Sequence, residues 1–245
     1  MAVRTVARIF EKQLVFRLIS IPKIKHEFRP PLNLSLARAA VEGCLCALAL
    51  IVLSPALFLI AVTVFLESGS PILFSQVRVG RNGKLFRLLK FRTMYRGMRG
   101  PSITAKGDSR VTRAGRVLRK LKLDELPQLW HVVRGEMSLV GPRPELPEFV
   151  DMSDPIWRRV LAVRPGITDS VSIAYRNEEE MLATVPDPIR FYEQVLLPEK
   201  LRRNLAHLEK RSLWNDVQVL MGTVRCVAFP KQFKTDEHGI LKSRS

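Results

Sequence analysis

The sequence predicts an α+β, mainly helical fold: a monotopic membrane protein with a re-entrant hydrophobic helix–break–helix, a small β-hairpin and surface amphipathic helices. Three observations carry that expectation. An uncharged run of 24 residues, Gly43 to Leu66, is interrupted by Ser54-Pro55. Basic residues crowd both of its flanks. Beyond it, an Asn-Gly turn separates two short apolar–basic stretches, and segments of helical periodicity follow. The expected divisions are a basic arm over 1–34, a membrane segment over 35–68, a larger domain over 69–229 ending in a membrane-surface helix, and a polar tail over 230–245.

The arm places Val6, Phe10, Leu14 and Leu18 four residues apart with Arg4, Arg8, Lys12 and Arg17 between them. That spacing suits a basic amphipathic helix on a membrane, and equally a loosely ordered basic arm. Charges interrupt it throughout, so it is no secretory signal. The run after it spans about 36 Å as a straight helix, enough for a bilayer core. Pro55 removes a backbone donor in mid-run and predicts a kink. Lys23, Lys25, Arg29 and Arg38 precede the run; Arg78, Arg81, Lys84, Arg87, Lys90 and Arg92 follow it. Positive flanks prefer the cytoplasmic side. A re-entrant hairpin broken at Ser54 and Pro55 puts both clusters there; a kinked spanning helix is the alternative.

Val77-Arg78-Val79 and Leu85-Phe86-Arg87-Leu88 flank Arg81-Asn82-Gly83 and predict the hairpin. Residues 95–109 read as a loop. A helix over 110–119 brings Arg116, Arg119 and Lys120 towards the residues that follow. After Asp124, the positions Leu126, Leu129, Trp130 and Val133 recur at helical spacing, with Trp130 expected in the core and Gly135 as the stop. Asp154-Pro155 starts a further helix. Residues 198–210 and 213–229 complete the set, with Leu201, Leu205 and Leu208 on one face of the first and Leu213, Val217, Leu220 and Val224 on one face of the second.

The formal charge of +17, from 40 basic and 23 acidic residues, implies an anionic partner: nucleic acid, a membrane surface or phosphorylated substrates. Nucleic acid is the weakest of these, because aromatics are 7% of the chain and are not interleaved with the basic residues. Cys44, Cys46 and Cys226 form no disulfide framework, and no histidine stands at zinc-ligand spacing from them. They read as apolar filler in a reduced setting.

The chemistry concentrates between Leu118 and Glu145. Asp124 and Glu125 stand side by side, with Arg119 before them and Arg143 after them in a Gly-Pro-Arg-Pro turn. Carboxylate oxygens suit a hard cation and guanidinium forks suit phosphate. Asp-Glu before Leu-Pro is equally an ordinary helix start with Asp124 as cap. Prolines on either side hold Arg143 at low entropic cost.

The full string decides between these. Leu-Asp-Glu-Leu-Pro-Gln-Leu-Trp followed by Met-Ser-Leu-Val-Gly-Pro-Arg-Pro resembles the signature of the bacterial sugar transferases, the monotopic phosphoglycosyl transferases. Gln76, Arg78-Val79-Gly80, Gly83, Phe86, Lys90-Phe91-Arg92-Thr93-Met94 and Val163-Arg164-Pro165-Gly166-Ile167-Thr168 also match. The resemblance covers roughly 35–229 and favours re-entry at the Ser-Pro break. It implies transfer of a sugar 1-phosphate from a UDP-sugar to undecaprenyl phosphate, with Asp124 as nucleophile and UMP released. It implies Mg²⁺ held by Asp124 and Glu125, and substrate phosphates bound by Arg119 and Arg143, with Lys90, Arg92 and Arg164 as further candidates. The place it implies is the cytoplasmic face of the bacterial inner membrane, on an anionic lipid bilayer, with downstream glycosyltransferases consuming the product in exopolysaccharide, capsule, O-antigen or glycoprotein glycan assembly. One departure stands out. Asp169 follows Ile-Thr where many members carry glycine, and Tyr175-Arg176-Asn177-Glu178-Glu179-Glu180 replaces an Asn-Gly-Arg segment. The rival reading is a membrane-anchored basic scaffold without turnover.

Overall fold

The computed structural model describes residues 32–98, 100–229, 233–235 and 241–243, and the side chains of 36–98 and 100–229. The arm expected over 1–34 lies almost wholly outside the described residues. Helix α1 (Leu32–Val52) and helix α2 (Ser54–Ser68) are the two arms of the hydrophobic run. Their axes bend by 63° at the Ser-Pro break. Pro55 has no N–H to donate, and Ser54 Oγ donates to the Ile51 carbonyl at 2.7 Å instead. No single described helix is long and apolar enough to cross a membrane; this bent pair passes that test together. Leu45, Leu48, Ile51, Phe58, Leu59 and Leu66 on the pair are exposed.

Strands β1 (Leu73–Val79) and β2 (Leu85–Phe91) form the expected antiparallel hairpin, with Val79 opposite Leu85. Asn82 and Gly83 both take positive φ, 56° and 78°, which is why this dipeptide turns there. A loop then leads to α3 (Arg113–Lys120), capped by Thr112 Oγ1, which accepts from Gly115 N at 2.9 Å. Glu67 at the end of α2 also accepts from Arg113 N (2.7 Å) and Ala114 N (3.0 Å), joining the bent pair to α3.

The segment after α3 differs from expectation. Leu123–Gln128 is a 3-10 helix, and only Leu129–Val133 (α4) is an α-helix. Lys122 stands before it in the left-handed region (φ 57°), so Asp124 is no helix cap. The tighter 3-10 period rotates the apolar positions. Gln128, His131 and Val132 become the buried face and Trp130 is 48% exposed, against its expected place in the core. His131 replaces it as the inward residue: its Nε2 accepts from Leu89 N at 3.0 Å while Nδ1 donates to Glu136 at 2.7 Å.

β3 (Ser138–Val140) runs parallel to β4 (Gly166–Thr168), with α5 (Pro155–Val160) between them, capped by Asp154. The turn after β3 crosses β4 closely: a Cβ on Gly166 would lie 2.1 Å from Gly141 N, so only glycine fits. Three short helices follow, α6 (Ser170–Ala174), α7 (Glu178–Leu182) and α8 (Pro188–Phe191). A π-turn over Tyr192–Leu196 leads into α9 (Leu197–Glu209), which buries Leu201 and Leu208 as expected. The last long helix is α10 (Leu213–Ala228). Its buried face is Asp216, Val219 and Cys226, whereas Leu213, Trp214, Val217, Met221 and Val224 are exposed. The tail carries paired strands β5 (Phe233–Thr235) and β6 (Leu241–Ser243), more structure than the polar composition predicts.

The main core gathers Phe149, Trp157, Leu161, Val171, Leu182 and Phe191. Cys46 packs with Leu88, Val132 and Met137, as apolar filler does. A buried ionic cluster ties α1 to α10. Arg38 bonds Glu42 (2.7 Å) and Asp216, and Arg211 reaches Asp216 (3.4 Å) and the Val140 carbonyl (2.6 Å). Glu42 in turn accepts from Leu139 N at 3.3 Å.

Candidate functional site

The 3-10 helix, the hairpin and the turn after β3 converge on a cleft of about 1000 Å³. Arg78, Lys90, Arg119, Asp124, Glu125 and Arg143 all line it. Of the residues singled out from the sequence, five therefore meet in one place. Two do not. Arg92 is buried under the end of α2, where it donates to the Ser68 and Gly69 carbonyls and to Ser68 Oγ. Its position at the end of β2 turns its side chain away from that of Lys90 towards the bent pair. Arg164 belongs to the surroundings of the ionic cluster: burial lowers its pKa, and the charges acting on it are Glu42, Arg38 and Arg81. Both arginines serve the fold.

Within the cleft, Glu125 and Arg143 form a two-pronged pair, with Nη2–Oε1 at 2.7 Å and Nη1–Oε2 at 3.1 Å. Lys122 Nζ stands 3.6 Å from the same carboxylate. Burial opposes ionisation of Glu125, yet Arg143, Lys122 and Lys90 together hold its carboxyl far below the usual range. Glu125 in turn raises the pKa of Arg143. Both oxygens of Glu125 are engaged by Arg143. Among the described residues, no group of three or more His, Cys, Asp or Glu is placed to hold a metal ion.

Asp124 is the opposite case. It is 6% exposed, and its Oδ1 is buried without a hydrogen-bond partner. Burial, with the neighbouring Glu125 charge, raises its pKa although Lys122, Lys90 and Arg119 act against the shift. Lys90 is lowered to about 8, by burial first, with Arg143, Arg78 and Arg119 adding and Asp124 opposing. Its Nζ lies 5.2 Å from the Phe74 ring centre. Arg119 binds Glu179 at 3.0 Å and keeps Nη1 buried without a partner. Asp124 Oδ1 and Arg119 Nη1 are thus buried and unpartnered in one basic cleft; an anionic oxygen would satisfy the guanidinium, and a donor or cation the carboxylate.

Sequence reasoning missed three supports. Arg78 donates to Gln76 (2.9 Å) and to Glu145 and the Pro144 carbonyl (both 3.3 Å), pinning the Arg143 turn to the hairpin. Its alternation with Gln76 along β1 was the available signal. Arg176 donates to the Lys120 and Cys226 carbonyls, joining α3 to α10. Asp169, marked only as a departure, is 2% exposed; its Oδ2 accepts from Arg143 N at 2.9 Å and its Oδ1 caps α6 at Ser172 N. An acid where glycine is common thus fixes the backbone of the arginine facing Glu125.

A helical α+β chain whose cleft sets a buried carboxylate, Asp124, among Lys90, Arg119 and Arg143 has the make-up of a protein that handles anionic groups. The chain belongs to the bacterial sugar transferase family, which it matches over residues 34–230. It is 37% identical over 179 residues to the UDP-N-acetylgalactosamine-undecaprenyl-phosphate N-acetylgalactosaminephosphotransferase of Aeromonas hydrophila, covering 71% of this chain and 39% of that one. It is 34% identical over 200 residues to the UDP-glucose:undecaprenyl-phosphate glucose-1-phosphate transferase of Caulobacter vibrioides, covering 80% and 71%. The undecaprenyl-phosphate glucose phosphotransferase of Komagataeibacter xylinus is 36% identical over 207 residues, covering 80% and 36%. The match thus spans little more than a third of the Aeromonas and Komagataeibacter relatives.

Asp169→Ala removes both a helix cap and the acceptor of Arg143 N. A loss of about 2 kcal/mol is expected, seen as a fall of about 4–8 °C in the thermal midpoint, with Asp169→Asn recovering part of it.

Proposed function

We propose that the chain is a phosphoglycosyl transferase that moves a sugar 1-phosphate from a UDP-sugar to undecaprenyl phosphate. The observation that carries this is the unpartnered Oδ1 of Asp124, buried in the basic cleft beside a carboxylate already neutralised by Arg143. An Asp124 oxygen attacks the phosphorus that bears the sugar. The bond from that phosphorus to the bridging oxygen breaks, and UMP leaves with that oxygen. An oxygen of undecaprenyl phosphate then attacks the aspartyl phosphosugar, the carboxylate is regenerated, and the product is the polyprenyl diphosphosugar. Splitting one displacement into two is the usual gain of carboxylate nucleophiles.

The surrounding cations hold and orient. Arg119 offers its buried Nη1 to a phosphoryl oxygen. A guanidinium carries five N–H donors, so Arg143 keeps capacity for phosphate while paired with Glu125. Lys90 adds a positive charge next to Asp124. Asp124 and Glu125 would hold Mg²⁺, an ion that commonly takes one or two carboxylates together with substrate phosphates. When bound it neutralises diphosphate charge.

The bent pair enters the membrane and returns, and the exposed apolar stripe of α10 rests on the same surface. Both readings draw on exposed hydrocarbon at Leu45, Ile51, Phe58, Leu213 and Trp214. The site is then cytoplasmic, and the product enters exopolysaccharide or related glycan assembly through downstream glycosyltransferases.

Detergent-solubilised protein, given undecaprenyl phosphate, Mg²⁺ and a panel of UDP-sugars, is expected to release UMP from at least one donor. Asp124→Asn should lose at least about 10³-fold of that turnover and form no phosphosugar adduct by mass spectrometry, while still sedimenting with membranes. Undiminished turnover would remove Asp124 as nucleophile. The pH profile provides a separate check. Activity should fall on the acid side as Asp124 protonates, above the range of an ordinary aspartate. It should fall on the alkaline side near pH 8 as Lys90 loses its proton, and Lys90→Arg should abolish that alkaline limb. For topology, a single cysteine placed just before Arg38 in a cysteine-free background is expected to react with impermeant reagent from the cytoplasmic side only. Reaction from the outside means a spanning helix.

A further inference from the structure

A second cavity, of about 370 Å³, lies beside the Glu125–Arg143 pair. Leu126, Leu129, Ile167, Ile173, Val224 and Val227 form most of its wall. Its charged residues are Lys122, Glu125, Arg143 and Arg176, and each of these also lines the larger cleft. Ser172 and Cys226 are shared as well. One layer of side chains therefore separates a charged cleft from an apolar groove, with the Arg143 guanidinium at the boundary. Leu121 and Val224 line the groove and are 39% and 62% exposed. The groove thus opens among exposed hydrocarbon, on the same helix whose Leu213, Trp214, Val217 and Met221 are exposed.

A nucleotide sugar has little apolar surface to place in such a groove, and burying its polar groups there would leave them unpaired. An amphiphile with an anionic head and a hydrocarbon tail satisfies both halves at once: phosphate at Arg143, and the tail running past Ile173 and Val227 towards Val224. We propose that this groove, between the 3-10 helix, α6 and the end of α10, binds the head-proximal isoprenoid units of the polyprenyl phosphate. This rests on the reaction proposed above. It assigns the acceptor an approach from the α10 side, separate from the donor's place in the larger cleft. The two substrates then reach Asp124 from different directions, and the acceptor enters without crossing the larger cleft. Each methylene transferred from water into such a groove is worth roughly fourfold in affinity, so the groove gives preference to a polyprenyl chain over a short alkyl phosphate.

The test uses the full chain in detergent and a polyprenyl phosphate with a diazirine in its first isoprene units. After irradiation, mass spectrometry should place adducts on Ser170–Ala174 and Thr223–Ala228. Excess undecaprenyl phosphate should suppress them. Ile173→Trp, which fills the groove, should abolish them and lower the kcat/KM ratio of undecaprenyl to geranyl phosphate about tenfold or more. Val227→Trp is the second variant should the first not fold. Adducts confined to Leu36–Ser68 overturn the proposal, and so do groove adducts that undecaprenyl phosphate does not suppress. Labelling needs no turnover. UMP release with adducts elsewhere overturns the groove alone, whereas suppressible groove adducts in a protein that releases no UMP support the groove and overturn the reaction.

Discussion

The Glu125–Arg143 pair is the interaction on which the site depends. It consumes one of two adjacent carboxylates and leaves the other without a partner. Two neighbouring acids in a buried place repel, and one of them ordinarily gives up its charge. Here a guanidinium fork resolves the conflict by holding Glu125 ionised, so that Asp124 alone bears the cost of burial. The pair also spans the fold. Glu125 lies on the 3-10 helix and Arg143 on the turn after β3, itself held by Asp169 from the start of α6. Removing Arg143 would leave the Glu125 charge without its fork, at a cost that solvent reaching the half-open guanidinium reduces below that of a fully buried pair.

Position in this site comes more from backbone than from side chains. Lys122 is held in the left-handed region, a conformation that disfavours any residue with a Cβ. It ends α3 and aims the following 3-10 helix, so Asp124 faces the cleft. The crossing of Gly141 over Gly166 then brings the Arg143 turn against β4. Prolines 142 and 144 restrict that turn further.

Much of this was legible in the chain, for identifiable reasons. The Ser-Pro break, the Asn-Gly hairpin and the long helices α9 and α10 are local features, and local signals found them. Four of the cleft's five residues were legible as residue types in one motif, and Lys90 came from the separate stretch that ends β2. What failed was a matter of period and of distance in sequence. Trp130 was misplaced because a 3.6-residue pattern was read onto a 3-10 segment. Arg92 and Arg164 carry the right charge but point elsewhere, which spacing alone does not reveal. Asp169 was noticed as a departure, yet its grip on Arg143 N spans 26 residues of sequence and has no local signature. The 3-10 helix itself follows from no propensity in Leu-Asp-Glu-Leu-Pro-Gln.

The ionic cluster at Arg38 has a mechanical side. Arg38 and Glu42 sit on the first arm of the bent pair, Asp216 sits on α10, and the cluster also holds the backbone of β3 at Leu139 and Val140. β3 runs directly into the turn that carries Arg143. One joint thus splices the first helix, the last long helix and the strand that leads to the arginine, and a strain on any of the three is shared by the other two.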